Sequence, residues 1–227
     1  MPKSPTKRRP ATLASLADSA LALFTDHGFH ATSISDIVQR AGLTRGAFYS
    51  NYRDKEEIFL ALYDARTDTL LTGLQEAAAR LRPGQGPVEQ FLEYIAGRTP
   101  QERKWFLVSM EFTLHAARNP EVAEALATHE DRLIHGLSEI FGKTLARDGL
   151  SPAIAADDLT RLVIAISRGL TAMGLIRGNH AGNHELADRI APHLLDALTT
   201  RVPSDGTPRQ GSRPGRDNRE DEGTRTP

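Results

Sequence analysis

Apolar residues recur along most of this chain at the spacing of amphipathic α-helices. The clearest stripe places them at i, i+3, i+4, i+7, i+8 and i+11, and its members are Leu13, Leu16, Ala17, Ala20, Leu21 and Phe24. No segment of useful length alternates apolar and polar residues with the period of two that is typical of a half-buried strand. The pattern therefore predicts an all-α fold with about nine helices.

Capping residues and helix breakers predict where these helices begin and end. The first helix is predicted to end at Gly28, and the second to begin at Ser33 or Thr32 and end at Gly42. Thr44 is the predicted cap of the third helix and Asp54 that of the fourth. The fourth helix is predicted to continue until Pro83 and Gly84. Later helices are predicted to begin at Pro87, Pro100, Asn119-Pro120, either Asp157 or Ser151, and Asn183.

Composition separates the two ends of the chain from its helical middle. The first ten residues are rich in Pro, Lys and Arg and hold one apolar side chain, Met1, so residues 1–9 are predicted to form a flexible basic arm. Residues 203–227 contain no aliphatic or aromatic side chain. Such a segment buries too little surface to offset its ordering entropy, and we expect a disordered tail.

The charge of the chain is unevenly distributed, although its formal net value is only −1. Residues 1–53 hold seven basic and three acidic side chains, a net charge of +4, which leaves −5 for the remainder. A basic N-terminal part suits an anionic partner such as nucleic acid. For Lys3, Lys7, Arg8 and Arg9, a solvated terminus and a contact with DNA phosphates or the minor groove both stay open.

Several classes of site are not expected. The chain contains no cysteine, which excludes disulfides, thiolate zinc sites and cysteine nucleophiles. Arg168 interrupts the most apolar stretch, 162–176, so we expect no membrane span, and Asp18 argues against a secretory signal. No phosphate-binding loop, GxSxG or HExxH motif occurs. We expect a cytoplasmic protein that is not an enzyme, with no cofactor, no metal and no membrane partner.

Residues 32–51 have the pattern of a helix-turn-helix, in which a short second helix enters the major groove of DNA. The start of that helix would face base edges with Thr44, Arg45, Gly46 and Ala47, and Arg45 can donate a bidentate pair to guanine. Residues predicted to hold phosphates and set the register are Thr32, Tyr49, Arg53 and Lys55. Tyr52 is a further DNA-binding candidate, at an apolar position expected to lock the helices together. A helical hairpin that is packed for structural reasons alone is the alternative.

The segment from Thr32 to Ile58, TSISDIVQRAGLTRGAFYSNYRDKEEI, resembles the DNA-binding signature of TetR-family transcriptional regulators. The matching positions are Ile37-Val38, Ala41-Gly42-Leu43-Thr44, Gly46, Phe48-Tyr49, Tyr52 and Lys55-Glu56, preceded by Phe24, Gly28-Phe29 and Ala31-Thr32. Val38 departs from the small alanine usual in the family, for which we expect a slight change of helix packing. A weaker likeness to one branch of the family lies in residues 110–121.

The resemblance implies a homodimer in which the last two helices of each protomer pair in a four-helix bundle. The dimer-interface candidates are Leu162, Val163, Ile166, Leu170, Leu186, Ile190 and Leu194. Some of these residues could instead belong to the core of one protomer. Because the eighth predicted helix is apolar nearly all round, burial on a second face is expected.

The resemblance also implies a small-molecule site inside the C-terminal helical domain. The candidate lining residues are Phe91, Tyr94, Trp105, Met110, Glu111, His115 and Met173. Two alternatives stay open, namely that the apolar members are ordinary core and that Glu111 forms a structural ion pair with Arg168 or Arg118. His115 could equally be a hydrogen-bonded core histidine.

These observations lead to one main hypothesis and two alternatives. Residues 10–56 would bind palindromic operator DNA, while residues 57–202 would dimerise and bind an unknown effector that releases the repressor from DNA. An activator or ligand-independent regulator of the same fold is the first alternative. A helical enzyme or interaction module without DNA binding is the second.

Overall fold

The structure, a computed structural model, describes residues 8–80, 99–178 and 180–202. Eight helices and two short strands lie in these ranges: α1 (Arg8–His27), α2 (Ile34–Arg40), α3 (Arg45–Tyr49), α4 (Lys55–Arg80), α5 (Pro100–Ala117), α6 (Pro120–Arg147), β1 (Leu150–Pro152), α7 (Ala156–Arg177), α8 (His180–Leu198) and β2 (Thr199–Arg201). The all-α prediction is confirmed. The helix predicted after Pro87 and the terminal segments 1–7 and 203–227 lie outside the described residues.

Local side-chain hydrogen bonds explain the short helices near the N-terminus. Ser33, rather than Thr32, caps α2: its Oγ accepts from the Asp36 N–H at 3.2 Å, and the Asp36 carboxylate accepts from the Ser33 N–H at 2.9 Å. This reciprocal pair is a capping box. Thr44 caps α3 by accepting from the Ala47 N–H at 3.2 Å. Both caps satisfy N–H groups that a helix of one or two turns leaves unpaired.

The last helices begin at other residues than those predicted. Ser151 lies in β1, where it pairs with Thr200 of β2 in a two-stranded antiparallel sheet. Helix α7 begins at Ala156, just before Asp157, and α8 begins at His180, ahead of the predicted cap Asn183. The sheet joins the end of α6 to the end of α8. Strands of three residues leave no alternation in the sequence that could have predicted them.

Helix α7 bears on the expectation that the chain has no membrane span, which stays a prediction. Among the described residues it is the one helix with the length and composition of a span, with a mean hydropathy of 1.5. It carries Arg161 and Arg168, and packs against α6 and α8. Core helices of soluble proteins share this composition, so length and hydropathy alone decide nothing here.

A first hydrophobic core joins the N-terminal head, which we define as residues 8–54, to α4 and α5. The buried members from the head include Leu16, Phe24, Phe29, Ile37 and Phe48. Helices α4 and α5 add Ile58, Phe59, Val108, Phe112 and Ala116 to the same cluster. Leu126 of α6 belongs to this cluster as well, so the head shares its core with three helices of the C-terminal part. The predicted division at residue 56 falls in the first turn of α4.

A second core lies farther along α4, between α4, α6 and α7. Its buried residues are Leu74, Leu137, Ile140, Phe141, Leu145, Leu159 and Val163. Helices α4 and α6 contribute to both cores. Both therefore connect the packing around the head with that of the C-terminal helices.

Candidate nucleic-acid interface and effector cavity

The N-terminal half of α3 presents its side chains to solvent. Thr44, Arg45 and Gly46 are exposed, Tyr49 is 52% exposed, and an Arg45 Nη2–H donates to the Tyr49 hydroxyl at 3.5 Å. Phe48 on the opposite face is fully buried in the first core. This packing holds a five-residue helix in place and leaves its first turn accessible to a groove of DNA.

The structure gives Thr32 and Lys55 roles other than the predicted phosphate contacts. Thr32 is only 2% exposed, and its hydroxyl donates to the Gly28 carbonyl at 2.8 Å. The Lys55 Nζ donates to the carbonyls of Phe29 at 2.8 Å and Thr32 at 2.9 Å, and lies 4.3 Å from the centroid of the Phe29 ring. Lys55 thus ties the first turn of α4 to the loop between α1 and α2. Burial lowers its pKa.

Three further predicted DNA contacts differ in accessibility. Arg53 is exposed, and its Nε donates to Asp54 at 2.7 Å, so its guanidinium lies at the surface beside the end of α3. Ala47 and Tyr52 are half-buried. The Tyr52 ring packs at 5.8 Å from that of Phe48, and burial raises the pKa of its hydroxyl. Tyr52 therefore supports α3 in this structure.

Glu111 on α5 binds the backbone of the head. Its Oε2 accepts from the Phe29 N–H and its Oε1 from the His30 N–H, each at 2.9 Å. Both alternatives for Glu111, an ion pair with Arg168 or Arg118 and a ligand contact, are replaced by this pair of charge-assisted hydrogen bonds. Gly28 makes the geometry possible, since its φ is +90° and an added Cβ would lie 2.7 Å from Glu111 Oε2.

Replacing Gly28 by alanine should destabilise the protein by about 1–3 kcal/mol, because a side chain at this φ is strained and would displace the Glu111 carboxylate. Urea denaturation monitored by circular dichroism measures the change. Gly142→Ala is the matched control, since nothing lies within 4 Å of a Cβ added there. Equal stability of the Gly28→Ala variant and the original chain would contradict this account.

Two other contacts link α5 to the head and the start of α4. The His115 Nε2 lies 3.2 Å from Glu56 Oε1, and the His115 ring packs against those of Phe29 and His30. The Lys104 Nζ donates to Asp26 at 2.6 Å near the end of α1. His115 is therefore a hydrogen-bonded histidine at the junction of α5 with α4.

A cavity of about 170 Å³ lies between α4, α5, α6 and α7. Each helix contributes residues at helical spacing. Helix α4 presents Tyr63, Arg66, Thr67 and Leu70; α5 presents Trp105, Phe106 and Ser109; α6 presents Leu133 and Leu137; and α7 presents Ile164, Ser167 and Arg168. A partly open, mostly apolar space with a few polar groups has the general form of a small-molecule site.

The predicted ligand residues are not brought together around this cavity. Trp105 lines it, whereas Glu111 and His115 contact the head. Met110 is half-buried and Met173 is exposed on α7, and neither lines the cavity. Phe91 and Tyr94 lie outside the described residues.

Sequence reasoning missed the polar residues of the cavity wall. The signal was the spacing of Tyr63, Arg66, Thr67 and Leu70 at i, i+3, i+4 and i+7, which puts two polar groups on an otherwise core-facing stripe. Burial raises the pKa of Tyr63 to about 12, so its hydroxyl stays protonated at neutral pH. The Arg168 Nη2–H donates to Glu130 at 2.7 Å, and Arg66 lies over the Trp105 ring at 5.4 Å.

The predicted dimer residues divide into surface and core positions. Leu162 and Ile190 are exposed in the single chain, while Ile166, Leu170, Leu186 and Leu194 are half-buried. Val163 is only 4% exposed and belongs to the second core, so the structure removes it from the interface candidates.

Two family models match this chain in order. The model of the bacterial regulatory proteins of the tetR family matches residues 16–62, which include α2 and α3. The model of the C-terminal part of BetI-type transcriptional repressors matches residues 84–200, slightly more than half of the chain. The two matches cover most of the head and helices α5 to α8, while residues 63–83, which include the cavity-lining part of α4, lie between them.

Individual proteins give the same result. The HTH-type transcriptional regulator CymR of Pseudomonas putida is 24% identical over 173 residues, which cover 76% of this chain and 84% of CymR. The A-factor receptor protein of Streptomyces griseus is 38% identical over 63 residues, 28% of this chain and 23% of that protein. Salmonella enterica GusR shares the fold with a TM-score of 0.65 at 21% identity, covering 85% of this chain and 98% of GusR.

CymR is named as a transcriptional regulator of the helix-turn-helix type. The exposed first turn of α3, the caps of α2 and α3 and the match of both family models agree on one conclusion. The chain belongs to the TetR family, and it is a DNA-binding transcriptional regulator.

Proposed function

We propose that this protein is a cytoplasmic, homodimeric repressor that leaves a palindromic operator when a small molecule binds the cavity between α4 and α7. The likeness of residues 84–200 to BetI-type repressors supports the sign of regulation. Operator contacts would be made by Thr44, Arg45, Gly46 and Tyr49 on α3, with Arg53 on a neighbouring phosphate.

One observation carries the proposal: the continuous helix α4 contacts both the head and the cavity. Helix α4 runs without interruption from Lys55 to Arg80, a length of about 39 Å at 1.5 Å per residue. Its first turn is bonded to the α1–α2 loop through Lys55, and Tyr63 and Arg66 line the cavity two to three turns later. A ligand that shifts α4 therefore acts on the element that positions the head.

Helix α5 also connects the cavity with the head. Helix α5 lines the cavity with Trp105 and Ser109 and holds the head through Glu111 one half-turn later. A ligand that prefers one arrangement of α4 and α5 shifts the population toward it, and only to the extent of that preference. Release follows if the preferred arrangement changes the distance between the two α3 helices of a dimer.

Dimerisation is supported by apolar side chains that one protomer leaves exposed on its last two helices. Leu162, Met173 and Ile176 on α7 and Ile190 on α8 are all exposed in the single chain. Large apolar side chains grouped on a helix pair favour burial against a second copy. Such a dimer would set its α3 helices about 34–36 Å apart, or a multiple of that distance, on successive major grooves.

An electrophoretic mobility shift with the DNA upstream of the protein's own gene tests the proposal. We expect a specific complex on a palindromic site, formed by a dimer of twice the 24.8 kDa chain mass, and loss of that complex when the effector is added. Absence of specific binding to any palindrome there would refute it. A reporter in a deletion strain separates the signs, because a repressor gives higher expression when deleted and an activator gives lower expression.

A further inference from the structure

Some of the charged side chains around the cavity between α4 and α7 already have hydrogen-bond partners, and others do not. The carboxylate of Glu102 accepts from the backbone N–H and hydroxyl of Thr99, at 2.6 and 2.9 Å, where it completes the capping box of α5. Glu130, beyond the cavity wall, accepts from Arg168 at 2.7 Å. These two carboxylates are therefore already engaged.

Arg66 differs from these carboxylates because it has no ion-pair partner among the described residues. Its guanidinium lies over the ring of Trp105 at 5.4 Å, and none of the ion pairs among the described residues includes it. An aromatic face orients a guanidinium but satisfies none of its five N–H donors. The planar donor edge of Arg66 thus remains suited to a bidentate acceptor.

Two further donors lie on the same wall. Tyr63 is buried and lines the cavity, and its hydroxyl hydrogen-bonds with the guanidinium of Arg168 while keeping its own proton to donate. Arg168 uses one Nη2–H on Glu130 and lines the cavity with the rest of its side chain. The wall therefore offers several N–H and O–H donors, and Arg66 adds a positive charge that no described carboxylate pairs with.

The remaining surface and the volume indicate the size of the group that the cavity can hold. Leu70, Phe106, Leu133, Leu137 and Ile164 form the apolar part of the lining. A cavity of roughly 150 Å³ is known to hold one benzene ring, and this cavity measures about 170 Å³. One aromatic ring or a short branched chain fits, together with a single charged group.

We propose that the effector is a small amphipathic carboxylate, whose charged group is held by Arg66 with help from Tyr63 and Arg168 and whose single ring or short chain packs on the apolar lining. This inference rests on the proposed function, because it assigns a ligand class to the cavity that the repressor model uses. A neutral analogue loses the bidentate contact, and a cationic analogue meets two guanidinium groups.

Direct binding to the full-length protein without DNA tests the ligand class. The probes are benzoate and phenylacetate, their neutral amides, and benzylammonium, each measured by thermal shift and isothermal titration calorimetry. We expect the carboxylates to raise the Tm and to bind at least ten times more tightly than the amides, with no shift from benzylammonium. Tighter binding of benzylammonium or of the amides, or no binding of either carboxylate at 10 mM, would overturn the inference.

Substitutions at Arg66 locate the contact. Arg66→Met keeps the apolar stem over Trp105 and removes the charge, so the preference for benzoate over benzamide should fall at least tenfold. Arg66→Lys should retain part of it. Arg80→Met is the control, because Arg80 lies at the exposed end of the same helix, 3.7 Å from Glu76. An unchanged preference in Arg66→Met with an unchanged circular dichroism spectrum would overturn the assignment, as would a loss in Arg80→Met equal to that in Arg66→Met.

Mobility shift distinguishes failure of this inference from failure of the proposed function. A carboxylate that binds through Arg66 but leaves the protein on its operator contradicts the release model and supports the ligand class. Release from the operator by a neutral or cationic compound that binds equally well to Arg66→Met supports the release model and contradicts the ligand class.

Discussion

Replacing Phe112 by alanine should lower the free energy of unfolding by about 3–5 kcal/mol, the usual cost of removing a fully buried aromatic ring. Phe112 is 0% exposed and lies where α5 meets the head. Its ring stacks on Phe59 with centroids 4.0 Å apart and contacts the edge of Phe29 at 4.9 Å. Alanine would leave a cavity at the contact between three elements, and little in a tightly packed core can move to fill it.

Urea denaturation at a fixed protein concentration measures this loss, since the apparent stability of an oligomer depends on concentration. Leu114→Ala is the matched control on the same helix, because Leu114 is 59% exposed and its truncation should cost about 0.5 kcal/mol or less. Similar losses in the two variants would show that the first core does not depend on α5.

Replacing Arg45 by alanine should reduce affinity for the operator about 10- to 100-fold, since a bidentate arginine–guanine contact contributes about 1–3 kcal/mol of discrimination. Arg45 is exposed at the start of α3, and its one hydrogen bond in the described structure, to Tyr49, is long at 3.5 Å. The guanidinium is therefore free to turn toward a base at little cost.

Fluorescence anisotropy on the operator and on single-base variants measures the change. The Arg45→Ala protein should lose its preference at one position of each half-site, while Arg80→Ala, at the far end of α4, should bind like the original chain. An equal loss of affinity on operator and unrelated DNA would show that Arg45 contacts phosphates rather than a base.

The sequence was most informative where structure depends on neighbours in the chain. The caps Ser33 and Thr44 and the stripe ending at Phe24 are local signals, and they predicted α1 to α3 correctly. The sheet of β1 and β2 joins residues about 50 positions apart through backbone hydrogen bonds, for which no side-chain pattern exists. For the same reason the sequence could not predict that Glu111 binds the N–H groups of Phe29 and His30, 82 and 81 residues away.

The cavity illustrates a different limit. The residues of its four walls each follow a helical period, so each stripe could be identified from the sequence alone. Which stripes face one another depends on how the helices pack, which is a property of the tertiary structure. Trp105, a candidate chosen because it is large and apolar, lies in the wall, whereas Arg66 was not a candidate and Arg168 was one only as an ion-pair partner of Glu111.

The arrangement of α3 has a consequence for the evolution of this regulator. Phe48 is the fully buried side chain of that helix, while the residues proposed to contact bases and phosphates point outward and make no contact with Glu111 or Gly28. Substitutions at Thr44, Arg45 or Tyr49 can therefore accumulate without disturbing the connection between effector cavity and head. A duplicated gene could acquire a new set of target promoters within a few mutations and still respond to the ancestral signal.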